Sequence, residues 1–271
     1  MAVGSAHRYS RLRAMPARIA EVIAEIDRLL EPARFADYGP NGLQVPGAEH
    51  VSVLATGVSA NLELFERTRA AGAELLLVHH GLFWGSGPLT IDPAAKRRLK
   101  VLFEADTALA AYHLPLDAHA EIGNNALIAR ALGADRLSPF GLHRGQPIGC
   151  IARFAGQGMP ASGAGGLFAR VAELVGQPPL VFADGPDTVR SVAIVTGAGT
   201  DYLGDAVAAG ADAFITGEPA ERAMAIAREG AIHFIAAGHH ATERFGVRRL
   251  GGHLARRFEL RHVFIDVPNP I

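Results

Sequence analysis

Two histidines stand side by side where an apolar run ends. Leu75, Leu76, Leu77 and Val78 lead directly into His79 and His80. Further on, two acids each follow a histidine by four residues: His113 precedes Asp117, and His239 precedes Glu243. Adjacent residues of an extended chain point to opposite sides, so His79 and His80 suit two separate ions better than one. Residues four apart share a helical face, which makes His239 and Glu243 neighbours. Glu243 also continues a stripe through Val247, Leu250 and Leu254, which turns it inward. A buried ionised carboxylate is costly unless it is paired or bound to a cation. His79, His80, Asp117, His239 and Glu243 thus make three imidazoles and two carboxylates. Two divalent cations about 3.5–4 Å apart would use such a set fully. Mixed N/O donors suit Zn, Mn or Fe better than Ca, and a single cysteine, Cys150, excludes a thiolate site. His240 is an alternative to His239, since a spacing of three to Glu243 is only slightly worse than four. Composition leaves the two open.

The elements that must position these groups alternate. PARIAEVIAEIDRLL places Ile19, Val22, Ile23, Ile26, Leu29 and Leu30 at helical spacing, with Pro16 near the start and Pro32 after the end. Strands are expected over 51–58, 74–80 and 108–113, and helices over 61–72, from Pro93 and around NNALIARALG. Such alternation implies an α/β fold. The histidine pair then leaves its strand at the carboxyl edge of the sheet, where open α/β sheets bind ligands. Residues 140–190 read differently, as a connector with a strand at GCIARF, a Gly/Ala/Ser loop at 157–166 and a short helix at LFARVAELVG. The chain is expected to divide into a disordered extension over 1–15, a first half over 16–139, this connector, and a second half over 191–271. The two halves form one intertwined unit.

The halves resemble each other. Thr56-Gly57 matches Thr196-Gly197, and Ala71-Gly72-Ala73 matches Ala209-Gly210-Ala211. His79-His80 then falls on Gly217-Glu218, and His113-x-x-x-Asp117 on His239-x-x-x-Glu243. We read this as internal duplication of strand–helix units around a pseudo-two-fold axis. The metal site is expected between the halves, at the carboxyl edge of the sheets. Bulk properties narrow the rest. Lys plus Arg is 26 and Asp plus Glu is 27, so no global charge favours nucleic acid. One cysteine fits a reducing cytoplasm. No apolar run approaches the roughly 18 residues of a membrane helix, and the first residues lack the apolar core of a secretory signal. No G-x-x-x-x-G-K-[ST] loop is present, which argues against an ATP switch.

Six ordered motifs carry a family resemblance: PNGLQV, VHHGLFW, YHLPLDAHAEIGNN, FITGE, GHHATERFG and FIDVPNP. Together they resemble the Nif-three-like dinuclear metal-centre family, the GTP cyclohydrolase I type 2 homologues, in its short form without an inserted domain. The resemblance spans nearly all of residues 16–271. It implies that His80, Asp117 and Glu243 hold one ion, that His79, His239 and Glu243 hold the other, and that Glu243 bridges. The family's last motif has an aromatic where this chain has His240, which favours His239 as the ligand. The resemblance also implies a homohexameric ring, a trimer of dimers, with the sites facing an interior cavity.

His113 is expected to stand beside the ions without binding one, as a proton shuttle. The repeat alone would make it metal-facing. Three imidazoles from one half would crowd the centre, however, and Pro115 is expected to hold Leu114 extended, breaking helical continuity with Asp117. Asn41 and Gln44 are either parts of a simple turn or groups supporting the site. Glu218 is a candidate base, and Trp84 either packs or stacks on a flat substrate. The leading functional reading is a metal-dependent hydrolase acting on a phosphoester or a GTP-like purine ring carbon. The competing class is a non-enzymatic metal-bound scaffold, metal store or metal chaperone.

Overall fold

Residues 15–85, 87 and 90–271 are described in a computed structural model of the chain. The expected extension over 1–15 lies, except for Met15, outside them.

The first sheet is built from β1 (Gly42–Val45), β2 (Val53–Ser59), β3 (Leu75–His80) and β4 (Ala108–Ala111), joined at its far edge by β11 (Arg261–Phe264) from the end of the chain. Its order is β11-β2-β3-β4-β1, and all neighbours are parallel except β1 against β4. Both faces of β3 are buried, which explains its unbroken apolar run. Leu75 and Leu77 pack with Ile19, Val22 and Ile26 of α1 (Ile19–Leu30) and with Leu250 and Leu254 of α9 (His239–Phe258). Leu76 and Val78 face the other way, against Leu64 and Phe65 of α2 (Leu62–Ala70) and Leu102 of α3 (Pro93–Glu104). Each such side chain contributes about 1.5–3 kcal/mol when fully buried, so the two helical layers fix the height at which His79 and His80 emerge.

The second sheet runs β7 (Leu180–Ala183), β10 (His233–Ala236), β9 (Ala213–Thr216), β8 (Ser191–Ile194), β6 (Gln146–Arg153), β5 (Arg136–His143). Its three central strands are parallel, and the outer pairings are antiparallel. One face packs on α5 (Asn124–Ala131) and α6 (Leu167–Val175), the other on α7 (Leu203–Ala208) and α8 (Ala223–Glu229). GCIARF is a strand and LFARVAELVG a helix, as expected, and β5–β6 is a hairpin that extends this sheet.

Helix α9 links the sheets. Two residues separate it from β10 of the second sheet, and it lays Val247, Leu250 and Leu254 on the first. Its amino-terminal turn, with His239 and Glu243, therefore follows closely on the second sheet, while its later turns cover the first. β4 ends at Ala111 rather than at His113 as expected. Leu114 is not held extended either: it opens the short helix α4 (Leu114–Ala118), with Pro115 in its first turn. The first amides of a helix have no intrahelical acceptor, so a proline there costs no hydrogen bond. The His113 carbonyl accepts from Leu116 N and Asp117 N, and one turn thus connects His113 to Asp117. No described helix is long and apolar enough to cross a membrane.

Candidate metal centre

The five expected ligands converge. His79 Nε2 lies 3.3 Å from Asp117 Oδ2 and 3.5 Å from Glu243 Oε1. His80 Nε2 and His239 Nε2 each lie 3.0 Å from Glu243 Oε2, and 3.4 Å from each other. The groups that could hold an ion are His79 with Asp117 and Glu243, and His80 with His239 and Glu243. The family resemblance implies a different partition, His80 with Asp117 and His79 with His239; the distances group the same five residues the other way. The reason lies in the strand. His79 shares the face of Leu75 and Leu77, which looks toward α4 and α9. His80 sits at the last position of β3 and reaches around its end toward the start of α9. A third triple, His79, His80 and His113, also lies within ligand reach.

Every imidazole in the cluster is anchored through Nδ1. His79 Nδ1 is 3.0 Å from the Tyr112 carbonyl, which accepts its proton. His80 Nδ1 is 3.0 Å from Ser59 Oγ, and His239 Nδ1 is 2.5 Å from Glu218 Oε1. The carbonyl and carboxylate partners orient His79 and His239 so that the neutral rings present an Nε2 lone pair to the centre, and the Ser59 hydroxyl orients the His80 ring. Asp117 is anchored likewise. Its Oδ1 accepts from Asn124 Nδ2 at 2.7 Å and Thr196 Oγ1 at 3.2 Å, which leaves Oδ2 for the cluster.

The donor set fits a cation. His79 Nε2 and Glu243 Oε2 are buried without a hydrogen-bond partner among the described residues. Orphaned buried polar atoms are rare and point to an ion or solvent. Backbone also makes room. Gly197 has φ +64°, and a Cβ there would stand 2.2 Å from Glu243 Oε1 and 3.1 Å from His239 Nε2. Gly197→Ala is therefore expected to displace the Glu243 carboxylate and to cost about 1–2 kcal/mol in backbone strain. Metal analysis of the folded variant should show less metal than the parent; full retention would contradict this cradle.

Charge follows the same geometry. Burial opposes the imidazolium of His239, but the Glu243 and Glu218 carboxylates outweigh it and raise its pKa to about 9. Burial opposes charge on His79 as well, yet Asp117 and Glu243 carry it well above the usual range. For His80 burial wins, and its pKa is lowered. Glu243, though buried, is held well below the carboxylate range by His80, His79 and His239.

Beside the cluster stands a second unit. His113 Nδ1 is 2.7 Å from Asp37 Oδ1. Asp37 also accepts from Tyr38 N at 2.7 Å, Leu114 N at 2.9 Å and Asn41 Nδ2 at 2.9 Å. Asn41 Oδ1 in turn accepts from His113 N at 2.8 Å. Burial opposes the Asp37 charge, but the His113 imidazole and these donors hold its carboxyl below the usual range. Asn41 thus has a supporting role, and Asp37 is the residue that sequence reasoning missed. Gln44 braces the turn after the histidine pair: its Oε1 accepts from Leu82 N at 2.8 Å, and its Nε2 donates to the Pro40 carbonyl. Gly81 is what lets it approach, since a Cβ there would lie 2.3 Å from Gln44 Nε2. Glu218 touches His239, and His240 turns away, with Nε2 2.8 Å from Asp266 Oδ1. Trp84 packs edge-on to His113, with ring centroids 5.3 Å apart.

Comparison with known proteins gives this arrangement a lineage. Residues 17–270 match the family model described as Duf34/NIF3 (NGG1p interacting factor 3). The chain is 43% identical over 258 residues to a protein of Pseudomonas aeruginosa named "GTP cyclohydrolase 1 type 2 homolog", covering 94% of this chain and 100% of that one. A relative of the same name from Escherichia coli is 41% identical over 246 residues, covering 90% and 96%. Among solved structures, TTHA1606 from Thermus thermophilus superposes with a TM-score of 0.84 at 38% identity, over 94% of this chain and 100% of that one. A match across nearly the whole chain, to the family model and to relatives at such identity, settles the lineage: the chain belongs to the Duf34/NIF3 family.

Proposed function

We propose that this protein is a dinuclear metal-dependent hydrolase, acting on a phosphoester or a GTP-like purine ring. The observation that carries the reading is the buried cluster in which His79 Nε2 and Glu243 Oε2 lack a hydrogen-bond partner among the described residues, each imidazole being held from behind through Nδ1. In this reading Asp117 and His79 serve one ion, His80 and His239 the other, and Glu243 both. Zn, Mn or Fe suits the donor set. When bound, two such ions lower the pKa of a water toward 7 and stabilise negative charge on the electrophile. The chain's own groups supply the rest. Asp37 holds His113 with Nε2 as the nitrogen left to the cavity, where it can take or deliver a proton at the reacting oxygen. Trp84 and Tyr38 flank that imidazole and limit its access to water.

The same reading includes a duplicated chain with the site between its halves, and a homohexamer. Two parallel three-strand units, β2-β3-β4 and β8-β9-β10, support the duplication. The resemblance supports the hexamer, and light scattering should then give six times the chain mass. For the activity, protein loaded with a defined metal should be screened against phosphomonoesters, phosphodiesters and GTP. Turnover that vanishes on chelation while the assembly persists is the expected result. Silence across all substrates, with fast metal transfer to an acceptor, would favour a metal store or chaperone instead.

Metal affinity should depend on pH well above the ordinary histidine range. A ligating imidazole must be neutral. In metal-stripped protein His239 titrates at about 9, so protons compete with metal at every pH below that. Affinity at this position should fall about tenfold per pH unit on going down from 9. The raised pKa also stabilises the stripped fold. That contribution is fully present below about 6.5, the ordinary histidine value, and is lost as pH rises through 9. Titration calorimetry in buffers of different ionisation enthalpy should therefore find protons released on loading at pH 7.5. Flat affinity between pH 6 and 9 would contradict histidine ligation.

A further inference from the structure

We propose that the cavity over this cluster is built for an anionic planar heterocycle, its ring against Trp84 and Tyr202 and its anionic group on Arg98. The inference rests on the hydrolase reading and names the substrate class of that site. The cavity has a volume of about 560 Å³, which is within the usual size of a small-molecule site. Its floor holds Asp117, His239 and Glu243, and its walls include Tyr38, Trp84 and Tyr202. Trp84 is the sole tryptophan of the chain. It is held by His80 and His113, with centroids 5.8 and 5.3 Å away, yet stays 36% exposed. A fixed aromatic with free area inside a cavity is surface that a flat ring can cover.

Arg98 supplies the complementary charge. It projects from α3 and is the one Lys or Arg among the described residues that line this cavity. Other arginines, such as Arg28, Arg67 and Arg244, meet carboxylates within 4 Å. Among the described residues Arg98, though half-buried, is in no ion pair. An unneutralised guanidinium fork at a cavity wall suits phosphate or carboxylate. Arg144 lines a neighbouring cavity beyond Tyr38 and Trp84 and serves as a control for general positive charge.

The test uses metal-loaded protein and follows Trp84 fluorescence. The probes are guanosine and the non-hydrolysable 5′-phosphonate analogue of GMP. The phosphonate should bind at least roughly tenfold more tightly, on the scale of a charge-assisted bidentate contact. Arg98→Ala should shrink that gap to about twofold on the same scale and leave guanosine unchanged. Arg98→Lys should recover part of the gap, and Arg144→Ala should preserve all of it. Equal affinity of both probes for the parent protein would overturn the proposal. So would a gap that survives in Arg98→Ala, because the anion would then lie on the metal cluster. Absence of binding by either probe would overturn it too. Tight, Arg98-dependent binding without turnover of any phosphoester or of GTP would leave this site standing while removing the hydrolase reading.

Discussion

Glu243→Ala is expected to empty both metal positions at once. Glu243 is the carboxylate common to the two triples: Oε1 lies 3.5 Å from His79 Nε2, and Oε2 lies 3.0 Å from His80 and His239. Its removal takes one donor from each ion and the negative charge that offsets both. Loss of an outer-sphere partner alone costs about 10–100-fold in metal affinity, so loss of a shared ligand should exceed 100-fold at each position. Glu243→Gln keeps the shape and removes the charge, and it should lose metal nearly as completely. Asp117→Ala touches one triple and should leave about one ion in place. The measurement is metal content per chain after dialysis against metal-free buffer, with circular dichroism to show that the fold persists. A Glu243→Ala protein that retains one ion would refute the bridge. The fold should tolerate the change, because Val247, Leu250 and Leu254 keep α9 on the first sheet.

The sequence made part of this geometry readable because it is local. A run of four apolar residues before two histidines marks a strand buried on both faces, and its end fixes where the imidazoles emerge. A spacing of four places His239 and Glu243 on one turn. What stayed hidden depends on contacts between distant segments. Asp37 meets His113 across 76 positions of chain, and nothing in the turn-rich DYGPNGLQV stretch distinguishes that aspartate from an ordinary turn residue. Its spacing of four from Asn41 was the available signal. The pairing of His79 with Asp117 depends on how α4 and α9 pack over β3, which is tertiary information. The expectation at Leu114 failed for a different reason: the rule about residues preceding proline is weak at the first turn of a helix. Gly197 was visible as one member of the repeated Thr-Gly pair, but its closeness to Glu243 was not.

His113→Ala should retain both ions and lower any hydrolysis by roughly 10²-fold or more, the scale of general acid–base groups. The argument begins with Asp37. Its carboxylate accepts a hydrogen bond from His113 Nδ1 at 2.7 Å and is itself fixed by Tyr38 N, Leu114 N and Asn41 Nδ2. A ring held in this way has one nitrogen left, Nε2, and lines the cavity beside His79 and His80. Two triples already account for His79, His80, Asp117, His239 and Glu243 without it. Asp37→Asn keeps the size of the partner but not its charge, so the imidazole loses the group that fixes its tautomer. That variant should also retain metal, and it should lose activity mainly in kcat, with a shifted pH–rate profile. A merely structural role for Asp37 would lower thermal stability without moving the profile. Metal content decides the remaining question. If His113→Ala releases an ion, the triple of His79, His80 and His113 is a real coordination set, and the repeat, which sets His113 against His239, reads the site better than the family resemblance does.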